Sequence, residues 1–145
     1  MQYGIMSFIL AAALTAFSGC VSNRGPSPEL MTALDSRADC ETRFLSAEKL
    51  SSAADRDLAF SQIALSSVEC RNDQVLRDSI DRIGDPILKD DTAYRCAVAL
   101  AKGGRGMEAA TIANAIVGSD VRAKAVLAIN RTLPEQKDPA AGPGQ

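Results

Sequence analysis

From Leu30 to Thr132 the apolar residues recur at intervals of three and four, and no useful length of chain alternates apolar with polar. That period puts the apolar side chains on one face of a helix, so the expected fold class is all-α. The first predicted helix opens at Ser27-Pro28-Glu29. There a capping hydroxyl, a proline suited to the first helical position and an acid near the positive end of the helix dipole come together. It runs to about Arg37, with Leu30 and Leu34 on one face. A second helix, about 41–52, takes its period from Phe44, Ala47, Glu48 and Leu50. A third, 56–68, carries a stripe of Ala59, Phe60, Ile63, Ala64 and Ser67. The fourth, 72–83, turns Val75, Leu76, Ile80 and Ile83 inward, and places Asp73, Arg77 and Asp81, and also Asp78 and Arg82, outward at i,i+4 spacing.

Asp85-Pro86 then breaks the chain, because proline disfavours helix in the residue before it. A fifth helix is expected from Asp90 or Asp91 to Lys102, with Ala93, Cys96, Ala97 and Leu100 inward. The sixth, 107–117, buries Ala109, Ile112, Ala113 and Ile116; the seventh, 121–132, buries Val121, Ala125, Val126 and Ile129. Aligning Arg56-Asp57-Leu58-Ala59, Asp90-Asp91-Thr92-Ala93 and Arg122-Ala123-Lys124-Ala125 brings Ala59, Ala93 and Ala125 into register, at intervals of 34 and 32. Within 93–121, Ala97, Leu100, Gly104, Ala109, Ala113 and Ile116 follow a pattern that resembles the tetratricopeptide-repeat family. The resemblance implies a solenoid of stacked antiparallel helical hairpins, about three units long, each burying its apolar face against the next. The alternative is an irregular helical bundle.

Ahead of the helices lies an uncharged, mostly apolar run, residues 5–17, closed by Ser18-Gly19-Cys20. It is shorter than the ~20 apolar residues a membrane-spanning helix needs and has the form of a secretory signal. Phe17-Ser18-Gly19-Cys20 resembles the lipobox of bacterial lipoproteins, with Phe17 where that family has an aliphatic residue. The resemblance implies cleavage between Gly19 and Cys20 and lipid attached to Cys20. Val21 and Ser22, rather than Asp, follow the cysteine, which in that family implies the periplasmic face of the outer membrane. The organisation expected is a signal peptide over 1–19, a lipidated Cys20 with a polar tether over 20–28, a helical repeat domain over 29–133 and a disordered tail over 134–145.

Composition narrows the chemistry. The 16 basic and 18 acidic residues are interspersed, so no basic patch offers itself to nucleic acid. Histidine and tryptophan are absent. A Ser-His-Asp arrangement is therefore impossible, and the commonest neutral metal ligand is missing. Gly103-Gly104-Arg105-Gly106 precedes a helix but follows another helix and lacks the Lys-Ser or Lys-Thr of a phosphate loop; it is expected to be a tight turn. Asp55 with Asp57, and Asp90 with Asp91, are the paired carboxylates. Both pairs fall at expected helix starts, where acids cap.

Lipidation of Cys20 leaves Cys40, Cys70 and Cys96, an odd number that suggests one bridge and one free thiol in an oxidising compartment. Cys40 and Cys70 each follow an acid and are expected in the short loop before a hairpin's second helix. A Cys40–Cys70 disulfide is expected, with Cys70–Cys96 the alternative, and Cys96 is expected to be buried as a small hydrophobe. No metal site and no cofactor are expected. The function expected is non-enzymatic: an interaction module or scaffold, held to the membrane through Cys20, with an envelope protein as partner. The alternative is an accessory subunit or enzyme of envelope maintenance working through carboxylates such as Asp90 and Asp91.

Overall fold

A computed structural model describes residues 27–132. The signal segment, the Gly19–Cys20 cleavage site, the lipid-bearing Cys20, most of the tether and the tail lie outside the described residues. Within them are seven α-helices and no strand: α1 (Pro28–Leu34), α2 (Cys40–Glu48), α3 (Ala53–Cys70), α4 (Asp73–Arg82), α5 (Pro86–Lys102), α6 (Gly106–Asn114) and α7 (Ser119–Thr132). The protein is all-α over this range.

Short polar side chains set the helix starts. Ser27, Asp39, Ser52, Asn72 and Asp85 each accept a hydrogen bond from a backbone N–H in the first turn that follows, satisfying groups that have no partner inside the helix. These caps move several boundaries. The Asp85-Pro86 pair was expected only to break the chain, yet it also opens α5. Asp85 Oδ1 accepts from Ile87 N at 2.8 Å and Leu88 N at 3.1 Å, and Pro86 takes the first helical position, where its missing N–H costs nothing. Asp90 and Asp91 consequently lie one turn inside α5 and cap nothing. Ser52 caps α3 rather than ending α2, so α3 begins three residues earlier than expected.

From α2 onward the helices alternate short and long. Cys40, Asp73 and Gly106 open the short helices α2, α4 and α6, each 33 residues after the last; Ala53, Pro86 and Ser119 open the long helices α3, α5 and α7 at the same spacing. Leu50, Ile83 and Ile116, each in the loop after a short helix, repeat at that interval too, and all three are buried. The uniform spacing corrects the alignment at 34 and 32. Ala59 and Ala125 correspond to Thr92, not to Ala93, and Thr92 is fully buried with its hydroxyl 2.8 Å from that of Ser61. A paired hydroxyl stands where the other units have a methyl.

α1 packs on α2, α3 on α4 and α5 on α6, while α3 also touches α1 and α5, and α5 touches α7. Two apolar clusters result. One joins α1 to α4 through Ala33, Ala47, Ala59, Phe60 and Ile63; the other joins α3 to α7 through Ala64, Leu76, Cys96, Leu100 and Ile116. The stripes expected for α3, α4, α5 and α6 are all buried. At the ends of the array the match is poorer: Leu34 and Val126 are exposed, since α1 and α7 each lack a neighbour on one side among the described residues. In α2 the buried face is turned towards Cys40, Arg43 and Ala47. Arg43 is admitted because its Nε donates to the Ala33 carbonyl at 2.9 Å, a free acceptor at the end of α1.

Candidate interaction groove

The carboxylates singled out by sequence serve backbone groups. Asp57 accepts from Gly84 N and Asp85 N, both at 2.9 Å, and Asp90 accepts from Val117 N at 3.0 Å and Gly118 N at 2.7 Å. Each fastens its long helix to the loop that follows the next short helix, 27 and 28 residues on. Arg56 and Arg122 repeat the idea with opposite polarity, donating to the carbonyls of Leu50 at 2.8 Å and Ile116 at 2.9 Å. Asp91 faces solvent with a loose ion pair to Arg95, and Asp55 sits in the first turn of α3. Among the described residues neither pair of acids lines the hollows between α4 and α6 or beside Cys40. Pairing Asp90 with its neighbour Asp91 concealed its real counterpart, Asp57, 33 residues earlier.

The Gly103–Gly106 segment is a turn, as expected. Gly104 has φ +76°, a left-handed conformation that glycine adopts without penalty, and Gly103 caps α5. Arg105 occupies the capping position of α6 but makes no side-chain cap. Its guanidinium reaches Asp73 at the start of α4, with Glu108 3.5 Å away. The hydrogen bond to Asp73 holds Arg105 above its usual pKa.

The cysteines divide as the sequence suggested in one respect. Cys96 is fully buried, and burial pushes its thiol up to about 12. Below about pH 9 the thiol is protonated in both folded and unfolded chains and has no effect on the pH dependence. Between there and about 12 the unfolded chain releases its proton first, so stability falls as pH rises. We expect the urea midpoint of the wild type to drop more steeply above pH 9 than that of Cys96→Ala, whatever the offset between the two at neutral pH. Parallel curves would contradict the assignment. The other two lie in helices, not in loops: the Asp39 cap makes Cys40 the first residue of α2, where it is buried, and Cys70 is the exposed last residue of α3. Both line one surface hollow of about 390 Å³ with Asp39, Glu41 and Asn72, and no S–S bond joins them in this structure. Among the described residues no three metal-ligating side chains cluster.

Between α4 and α6 runs a groove that the sequence did not single out. Arg77, Ile80 and Asp81 line one side and Thr111, Ile112 and Ala115 the other, enclosing about 110 Å³. It adjoins a smaller recess of about 40 Å³ lined by Asp73, Leu76, Arg77, Glu108, Thr111 and Ile112. The Arg105–Asp73 pair closes that end. Arg77 was expected to pair along its own helix. Instead Asp73 is taken by Arg105, Asp81 by Lys89 at 3.5 Å, and Asp78 by Gln74 at 2.9 Å. Arg82 pairs across to Glu48 and lies over the Phe44 ring, 5.7 Å from its centre. Arg77 makes no ion pair among the described residues. Both recesses are well below the ~300 Å³ of a small-molecule pocket; they have room for side chains of another polypeptide.

No protein-family model, curated protein or solved structure matches the chain.

Proposed function

We propose that this protein is a lipid-anchored cell-envelope helical-repeat protein, a tetratricopeptide-like solenoid that acts as a protein–protein interaction module. In this reading Cys20 carries the lipid at the periplasmic face of the outer membrane, a polar tether spans the gap, and the helical array presents the α4–α6 groove to an envelope protein. The observation that carries the binding role is the groove itself. It has an apolar floor, Ile80 and Ile112, and a rim cation, Arg77, with no acidic partner among the described residues. Such a surface suits an apolar side chain next to a carboxylate. The uniform 33-residue spacing supports the repeat reading, because repeated helical pairs build extended binding surfaces. The use of Asp57 and Asp90 as backbone acceptors supports a scaffold over acid–base chemistry.

Two variants test the two halves of the proposal. Cys20→Ser should move the protein out of the membrane fraction or leave an uncleaved precursor, since durable anchoring takes two or more acyl chains; a processed form retained in the membrane would contradict the anchor. Arg77→Glu, at an exposed site with no ion pair among the described residues, should lower stability by no more than about 1 kcal/mol, the cost of like charges at i,i+4 to Asp73 and Asp81, and reduce recovery of the envelope partner by roughly tenfold, as expected for loss of an interfacial charge pair. Equal recovery would contradict the groove.

A further inference from the structure

We propose that Cys40 and Cys70 are a disulfide-forming pair that clips the start of α2 to the end of α3, at the junction where the next unit uses the Asp73–Arg105 ion pair. The 33-residue register makes the comparison possible. Cys40 and Asp73 are corresponding residues, each the first of its short helix. Asp73 reaches forward to Arg105, in the turn between α5 and α6. Cys40 faces the corresponding turn, between α3 and α4, and meets Cys70 there: the two cysteines line the same hollow as Asn72, the residue that corresponds to Arg105. Gly103 corresponds to Cys70 and carries no side chain, so in the later unit the join falls to the arginine. The two junctions are held by different chemistry at the same place.

The two thiols differ in access, which orders the reaction. Cys70 is exposed and Cys40 is buried. Both line one hollow, where the neighbouring Cys40 thiol pushes the Cys70 thiol up. Cys70, as thiolate, attacks one sulfur of a disulfide donor and releases its other half as a thiol. Cys40, as thiolate, then attacks the Cys70 sulfur of the mixed disulfide and releases the second donor thiol. Two protein thiols become one disulfide, and the donor disulfide is reduced by two electrons to two thiols. Cys96 takes no part because it is sealed in the apolar cluster of α5. The inference stands on the geometry of α2 and α3 and is independent of the groove.

The test uses the full chain, incubated with oxidised and reduced glutathione, alkylated under denaturing conditions and digested with trypsin. Cleavage after Arg and Lys places Cys40 in peptide 38–43, Cys70 in 57–71 and Cys96 in 96–102. The expected result is a 38–43/57–71 linked pair with Cys96 alkylated, and a Tm higher by roughly 10 °C than that of the reduced protein, as for a loop of this length. Cys70→Ser, at an exposed position, should fold and show no redox-dependent change in Tm. Recovery of 38–43 and 57–71 as separate alkylated peptides, or Cys70 joined to another cysteine, would overturn the pairing. A linked pair with no gain in Tm would overturn its role as a clip.

Discussion

Replacing Leu100 with alanine is expected to destabilise the fold by about 3–4 kcal/mol, at the upper part of the range for a buried leucine. Leu100 is fully buried on α5, within the cluster that joins α3 to α7. Half of the buried residues of that cluster are alanines, among them Ala64, Ala97 and Ala109, and alanine has no rotamer with which to fill a cavity. The surroundings therefore cannot collapse, and a cavity left open is the costly case. In a domain of this size the loss corresponds to a fall in Tm of more than about 10 °C. Leu127→Ala, on the exposed face of α7, should change stability by less than about 0.5 kcal/mol. Urea unfolding of both variants measures the contrast.

Asp90→Ala is expected to lower stability by about 3 kcal/mol, since it removes two charge-assisted hydrogen bonds and leaves two backbone N–H groups without their acceptor. Asp57→Ala should have a similar effect, because it serves the same purpose one unit earlier. The fit at Asp90 is close: a Cβ added to Gly118 would stand 2.8 Å from Asp90 Oδ2. Gly118→Ala should consequently destabilise the wild type and be better tolerated when residue 90 is alanine, a coupling that a double-mutant cycle reads directly. Asp91→Ala, at the neighbouring exposed acid, should be close to neutral. If Asp90 and Asp91 behaved alike, the distinction drawn between them would be lost.

The parts of the fold legible in the sequence were those with strong apolar periodicity. α3 to α6 carry unbroken stripes, and every residue expected in them is buried. The ends were harder because burial there depends on neighbours: Val126 has the right spacing but no helix beside it among the described residues. Helix starts moved wherever a cap competed with a simpler signal, as at Asp85-Pro86, where the break and the next start are the same two residues. The recurrence of helix starts was visible, but the buried Thr92 disguised its spacing, since its polar side chain does not look like the alanines Ala59 and Ala125. The groove was hidden for a related reason. Asp73, Arg77 and Asp81 have the spacing of a self-contained charge ladder, and only tertiary contacts show that Arg105 and Lys89 take the acids and leave Arg77 without an ion pair among the described residues.

The proposal that the α4–α6 groove holds an envelope protein is tested most directly by site-specific photocrosslinking in cells. A crosslinking residue is placed at Thr111, on the groove wall, and at Gln62, an exposed position on α3, in the membrane-anchored full chain. One discrete adduct with an envelope protein is expected from position 111, none from position 62, and loss of that adduct when Arg77→Glu is added. No adduct at 111, or the same adduct from both positions, would contradict it.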